Sequence, residues 1–139
     1  MIKNITNLGD AAIYCDFGSE VNKELNSKVI KYFRNLKQKK IKGITNLAPS
    51  YNKLIITFDL EIISYQELRD KILNLKLDKF NEIISKKIKV PVCLDEEFAL
   101  DIIQVSEKTS LNFEDIYKNI LNIDFYCYMT GFIAGMPFL

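Results

Sequence analysis

Hydrophobic residues recur with two different periods along the first half of the chain. In the run AAIYCDF (residues 11–17) they alternate, so that Ile13, Cys15 and Phe17 share one face, as in a strand. From Glu20 to Gln38 apolar residues instead recur every three or four positions, which predicts a helix with one apolar face and Ser19 as its N-cap. The apolar positions of that helix are Val21, Leu25, Val29, Tyr32, Phe33 and Leu36.

Strand-like alternation and a helix-like period then occur again in the residues that follow. Residues 44–48 and 53–59 are predicted strands separated by the turn PSYN, which suits a hairpin. Ser64 and Glu67 form a capping box before a second predicted helix. Alternation returns in KIKVPVCL (residues 87–94), where the central proline favours an edge strand.

This β-α-β-β-α-β order predicts an α+β fold of the ferredoxin-like type, in which both helices cover one face of an antiparallel sheet. We assign residues 1–93 to this domain. Residues 94–139 follow a different pattern: a short helix from Asp95 to about Ser106, another capped by Asn112, and a strand in DFYCYMTGF (residues 124–132). Such a segment cannot close a core of its own, which predicts the beginning of an incomplete second domain.

Composition narrows the classes of partner. The 139 residues are 48% hydrophobic and 27% charged, with a net charge of +1, so the charge balance gives no reason to propose nucleic acid or an anionic membrane. We interpret the lysine runs at 37–42 and 86–89 as a solvated helix end and the start of a strand. Because no apolar run is long enough to span a membrane and the N-terminus lacks a signal core, we predict a cytoplasmic protein.

Histidine is absent and cysteine is sparse, which limits the chemistry of the chain. Without histidine, triads of the Ser-His-Asp or Cys-His kind and histidine-metal sites are excluded within this sequence. Cys15, Cys93 and Cys127 are far apart and odd in number, so we predict no metal site and no disulfide framework. All three lie in apolar runs and are predicted to be small buried hydrophobes.

Four segments, taken in their order and spacing, resemble one family. They are LGDAAIYCDFG (8–18), GITNLAPSYNKLIITFD (43–59), KVPVCLDEEFALDI (89–102) and YMTGFIAGMPFL (128–139). The chain resembles the B subunit of bacterial 5-oxoprolinase, also called allophanate hydrolase subunit 1, a family that includes the kinase inhibitor KipI. The last segment is similar to the family signature G-F-x-P-G-F-x-Y-L, with Ala134 and Met136 replacing its Pro and Phe, and Ile120 stands where the family usually has His.

The resemblance implies that the signature opens a cyclophilin-like β domain. Family members are longer than this chain, so residues 131–139 are expected to be the first part of a domain that continues beyond them. The candidate contact residues for substrate or partner lie in the signature and in the hairpin before it. They are Gly131, Phe132, Gly135, Pro137, Phe138, Pro49 and Tyr51.

The resemblance also implies a function, in two forms. In the first, the chain belongs to an ATP-dependent enzyme that opens 5-oxoproline to glutamate; it is inactive alone and works with the A and C subunits of that enzyme. ATP would then belong to the assembled complex and not to this chain, whose catalytic residues stay unassigned. In the second, the chain binds and inhibits a sensor histidine kinase, through Tyr51, Tyr65, Tyr126 or Tyr128. A non-functional remnant is a third interpretation.

Overall fold

The computed structural model of the chain describes residues 2–77, 86–95 and 97–139. Its contacts divide it into two compact units. The first unit joins Met1–Glu82 to Tyr126–Leu139, and the second is Ile83–Phe125. The predicted division into residues 1–93 and 94–139, with the second part opening a cyclophilin-like domain, stays a prediction.

A four-stranded antiparallel sheet is the frame of the first unit. Its strands are β1 (Asn4–Asn7), β2 (Ala12–Asp16), β3 (Ile44–Pro49) and β4 (Lys53–Phe58), in the spatial order β1-β2-β4-β3. Helix α1 (Lys23–Lys39) connects β2 to β3, and helix α2 (Tyr65–Leu73) follows β4. A two-stranded hairpin, β5 (Met129–Thr130) with β6 (Pro137–Phe138), completes this unit.

The core lies between one face of this sheet and the two helices. Ile13 and Cys15 of β2 lie opposite Ile56 and Leu54 of β4, and all four side chains are fully buried. Helix α1 adds Val29, Tyr32 and Leu36 to the same cluster, and α2 adds Leu68 and Ile72. The apolar residues predicted for the strands and for the helices therefore pack into one core, which confirms the α+β prediction.

The fourth strand of the sheet differs from the prediction. The alternating pattern assigns it to residues 87–94, but no strand forms between residues 86 and 95, and Ile88, Val90 and Val92 are exposed. The edge beside β2 is instead occupied by β1, whose polar sequence NITN gives little strand signal. Pro91 has no N–H to donate to a ladder, which disfavours the predicted strand.

Helix starts follow side-chain caps. Helix α1 begins at Lys23 because Asn22, rather than the predicted Ser19, accepts a hydrogen bond from the Leu25 N–H at 2.9 Å. The capping residue predicted for α2 is confirmed, since Ser64 Oγ accepts from the Glu67 N–H at 3.2 Å.

The second unit contains helices α3 (Ile102–Thr109) and α4 (Phe113–Asn122). The predicted cap of α4 is confirmed, with Asn112 Oδ1 accepting from the Asp115 N–H at 2.8 Å. The helix expected from Asp95 begins later, at Ile102. Before it, the Asp95 carbonyl accepts turn bonds from the N–H groups of Phe98 and Ala99, and Glu96 lies outside the described residues. Within the described ranges, no helix has the length and apolar content needed to cross a membrane.

Two predictions about the later part of the chain are wrong. The strand expected over residues 124–132 is confined to Met129–Thr130. Cys93 and Cys127 are exposed because the runs that contain them do not enter the sheet, whereas Cys15 is buried as expected. Burial in the apolar layer raises the pKa of the Cys15 thiol to about 12, so this thiol stays protonated.

A first prediction concerns Gly43, at the start of β3. Its φ is +96°, and a Cβ there would lie 2.5 Å from Ile63 Cγ2. We expect Gly43→Ala to lower the free energy of unfolding by about 2–4 kcal/mol, because it adds a clash with a buried side chain to a strained backbone. Urea denaturation followed by circular dichroism measures the change.

Gly9 provides the matched control. Its φ is +64° and no atom lies within 4 Å of an added Cβ, so Gly9→Ala adds backbone strain alone and should cost about 1 kcal/mol. Equal losses for the two variants would contradict the proposed clash.

Candidate functional site

The C-terminal segment forms a tight hairpin that carries most of the predicted site residues. The Tyr128 N–H donates to the Phe138 carbonyl at 2.9 Å, and the Gly131 N–H donates to the Met136 carbonyl at 3.1 Å. Gly135 has a φ of +84°, a conformation that favours glycine. Phe132, at the tip with a φ of +63°, is 92% exposed.

A buried amide helps attach this segment to the rest of the unit, beside a hydrogen bond from the Ser50 hydroxyl to the Met129 sulfur at 3.2 Å. Asn26 of α1 is only 1% exposed. Its Nδ2 donates to the carbonyls of Ser50 (3.1 Å), Tyr51 (2.9 Å) and Tyr128 (3.1 Å), and its Oδ1 accepts from the Tyr126 hydroxyl at 3.0 Å. One side chain thus connects the helix, the β3–β4 turn and the chain leading into β5.

Aromatic rings surround this amide. The rings of Tyr51 and Tyr128 are 5.4 Å apart, and those of Tyr126 and Tyr128 are 4.7 Å apart with an edge-to-face geometry. The ammonium of Lys23 lies 5.3 Å from the centre of the Tyr126 ring. The three tyrosines are half-buried, so part of each ring stays accessible beside the hairpin.

A second buried amide fixes the loop before α1. Asn52 Nδ2 donates to the carbonyls of Gly18 (3.0 Å) and Glu20 (2.8 Å). Next to it, Lys53 Nζ donates to Asp16 Oδ1 at 2.5 Å and to the Gly18 carbonyl at 2.7 Å. The hydrogen bond from Lys53 is the main cause that lowers the pKa of the Asp16 carboxyl.

The structure brings only some of the predicted residues together. Gly131, Phe132, Gly135, Pro137 and Phe138 share the hairpin, and Tyr51 joins them through its contact with Tyr128. Pro49 ends β3 opposite Leu54, and Tyr65 begins α2. The binding roles of all these residues stay predictions.

Sequence reasoning missed Asn26, although a signal exists. The residue lies three positions before Val29, so it belongs to the predicted apolar face of α1. A polar residue on such a face must find partners inside the protein, and the asparagine amide finds four here. The sequence alone could not identify these partners, because Tyr126 and Tyr128 are about one hundred residues away in the chain.

The side chains at this site can contact and orient a bound molecule. They are aromatic faces, a lysine ammonium and the exposed Phe132 ring. Within residues 2–77, 86–95 and 97–139, no three side chains of the His, Cys, Asp or Glu type come together in a way that could hold a metal ion.

The comparisons with known proteins define the class of this protein. The family model of the carboxyltransferase domain, subdomain C and D, matches residues 3–139. The chain therefore belongs to this family.

Among individual proteins, the chain is similar to the B subunit of 5-oxoprolinase from Bacillus subtilis (strain 168), with 24% identity over 149 residues. The alignment covers 97% of this chain and 61% of the relative, so the chain spans about three fifths of the length of that protein. This similarity supports the resemblance seen in the sequence motifs.

Two solved structures share the fold. TTHA0988 superposes with a TM-score of 0.74 at 23% identity, over 91% of this chain and 24% of that one. The conserved uncharacterized protein PH0987 from Pyrococcus horikoshii superposes with a TM-score of 0.51 at 25% identity, over 94% of this chain and 60% of that one.

A second prediction tests the buried amide. Asn26→Asp keeps the shape of the side chain but replaces the donor with a carboxylate that faces three carbonyl oxygens. We expect a loss of about 2–4 kcal/mol in the free energy of unfolding at pH 7, measured by urea denaturation. The control is Asn119→Asp on the exposed side of α4, which should change stability by less than about 0.5 kcal/mol. Similar losses in the free energy of unfolding for the two variants would show that the hydrogen bonds of the Asn26 amide do not stabilise the fold.

A third prediction concerns the Asp16–Lys53 ion pair. A lowered pKa means that the charged carboxylate stabilises the fold at pH values above its unfolded pKa of about 4, and that this contribution is lost as the pH falls through the folded pKa. Asp16→Asn should cost about 0.5–1 kcal/mol at pH 7 and progressively less below pH 4.

The control for this pair is Asp124, which contacts Lys87 at 2.6 Å. The side chains of that pair are 77% and 72% exposed, against 30% and 21% for Asp16 and Lys53. Because solvent screens it, Asp124→Asn should have little effect at either pH. A pH-independent loss for Asp16→Asn, measured by urea denaturation at pH 3 and pH 7, would contradict the assignment.

Proposed function

We propose that this chain corresponds to the B subunit of an ATP-dependent 5-oxoprolinase, which opens 5-oxoproline to glutamate in the cytoplasm together with proteins that resemble the A and C subunits. Family membership over residues 3–139 and the similarity to the Bacillus subtilis protein along 97% of the chain support this proposal. The chain is not active alone in this proposal.

The chemistry explains why such an enzyme would combine several polypeptides. The amide of a lactam is stabilised by resonance, and ATP supplies a phosphoryl group that makes the carbonyl carbon electrophilic and improves the leaving group. Phosphate and a developing oxyanion require cations or backbone N–H groups around them. In the hairpin of this chain, the N–H groups of Tyr128, Gly131, Ile133 and Met136 already donate to carbonyls of the hairpin itself, so the proposal assigns ATP to the assembled complex.

The exposed hairpin tip is the observation on which the assigned role depends. Phe132 is 92% exposed although it is a large apolar ring, while the base of the same hairpin is attached to Asn26 through the carbonyl of Tyr128. An apolar ring on a fixed support is typical of an anchor for a partner surface. In this proposal, Gly131, Phe132 and Gly135 contact a C-type partner or a substrate site shared with it.

A fourth prediction tests this role. The chain is purified with the A-type and C-type partner proteins of its own genome, and ATP-dependent release of glutamate from 5-oxoproline is measured. We expect Phe132→Asp to reduce turnover at limiting chain concentration at least about tenfold, because it removes an apolar anchor. Phe98→Asp, at another exposed phenylalanine in the second unit, should leave turnover within about twofold of the unchanged chain.

The outcomes distinguish the proposal from its alternatives. The full-length Bacillus subtilis relative serves as the positive control with its own partners. If that control turns over while this chain supports no turnover with any partner, the enzyme role fails for this chain. Inhibition of a sensor histidine kinase by this chain, lost in Tyr128→Ala, would instead favour the kinase inhibitor.

A further inference from the structure

The charge of the first unit is distributed very unevenly. Between residues 25 and 58 the chain contains eight cationic side chains and no acidic one. Lys28 and Lys53 are paired with Glu24 and Asp16. The six others lie on α1 or directly after it: Lys31, Arg34, Lys37, Lys39, Lys40 and Lys42. A protein with a net charge of +1 thus concentrates positive charge near one helix end.

A groove lies at this basic end. Its volume is about 310 Å³, and it is formed by the last turns of α1, the segment that follows and β3. Apolar side chains make up much of its lining, and lysines add positive charge: Phe33, Leu36, Ile44 and Leu47, with Lys37 and Lys40. The Lys37 ammonium lies 5.7 Å from the centre of the Phe33 ring, so charge and apolar surface adjoin within the groove.

One side of the groove is the free edge of the sheet. β3 is the last strand in the order β1-β2-β4-β3, and in the described part of the chain its ladder is with β4 alone. The Ile44 N–H is already bonded to the Ile41 carbonyl at 3.2 Å and Pro49 has no N–H, so the part of this edge that can accept a further strand lies between these two residues.

From these observations we propose that the groove beside β3 binds an extended, acidic segment of a partner protein. Its backbone would pair with β3, its apolar side chains would cover Phe33, Ile44 and Leu47, and its carboxylates would meet Lys37 and Lys40. This surface is separate from the hairpin site, because Lys37 lies eleven positions after Asn26 in the helix, a distance of about 16 Å along the axis. The proposal therefore does not depend on the enzyme role.

A second copy of this chain is a poor occupant of the same groove. Edge-to-edge pairing of two β3 strands would bring the lysines of both copies together, and like charges across an interface are unfavourable. The same lysines would attract the carboxylates of an acidic partner.

A fifth prediction uses a synthetic probe. A fluorescein-labelled decapeptide of alternating glutamate and valine is titrated into the full chain in low salt, and its fluorescence anisotropy is measured. We expect saturable binding. Lys37→Gln with Lys40→Asn should weaken it about five- to tenfold, since two charges that face the peptide are lost. Asn is chosen at Lys40 because that residue has a φ of +46°, which asparagine tolerates.

Three controls make the test specific. Lys76→Gln with Lys108→Asn removes the same charge outside the groove and should leave the affinity within about twofold. A peptide with every central amide N-methylated keeps its side chains but cannot add to a strand, and should bind at least about tenfold more weakly. A peptide of alternating lysine and valine should not bind.

Several results would overturn the proposal. Equal weakening by the two double variants would indicate nonspecific charge attraction, and unchanged binding of the N-methylated peptide would exclude strand addition. Tighter binding of a single-stranded RNA oligonucleotide than of the acidic peptide would point to nucleic acid. A dimer in sedimentation velocity that Lys37→Gln with Lys40→Asn strengthens, by relieving the repulsion between lysines, would identify a second copy as the occupant.

Discussion

The Asn26 side chain is the constraint on which the arrangement of the first unit depends. The carbonyls of Ser50, Tyr51 and Tyr128 belong to a turn and to an irregular segment, and neither offers a regular backbone donor for all of them. A buried carbonyl without a donor costs free energy comparable to a lost hydrogen bond. The two hydrogens of the Asn26 amide are shared among these three carbonyls, so residues distant in the chain meet at one buried location.

A second buried asparagine, Asn52, also donates to backbone carbonyls in this unit. Asn52 donates to the carbonyls of Gly18 and Glu20, and so holds the loop between β2 and α1 against the β3–β4 turn. Asn26 of helix α1 donates hydrogen bonds to the β3–β4 turn, and Asn52 of that turn donates hydrogen bonds to the loop that precedes the helix. Rigid attachment at both points orients the tyrosines and the base of the hairpin.

Much of the fold could be predicted because its main elements have strong periodic patterns. Buried positions of β2, β4 and α1 follow periods of two and of three to four, and local caps such as Ser64 act within a few residues. The strand at Asn4–Asn7 could not be predicted, because Ile5 is its one apolar residue and a single residue makes no alternating pattern. Residues 87–94 alternate in the same way as a strand, yet alternation cannot show whether a sheet edge is free to pair.

For the candidate site, the chain segment that forms the hairpin could be predicted, but the residues that hold the hairpin in place could not. Glycine spacing marked residues 131–138, and the structure places a turn with positive φ at Phe132 and Gly135 there. The contact with Asn26 depends on residues that approach only in the folded chain, and no local pattern encodes a separation of that length. Sequence reasoning therefore identifies chemistry that depends on neighbours in the chain better than chemistry that depends on distant partners.

The two ends of α1 show how one element can satisfy folding and recognition together. At its first turns, a neutral amide is buried because three carbonyls require it. At its last turn, Lys37 and Lys39 lie where the helix dipole favours positive charge, so they stabilise the helix even without a ligand. The lysines alone therefore do not indicate a partner. What indicates one is the combination of those charges with an apolar groove and a strand edge that no described residue pairs with, since the helix dipole requires neither of these.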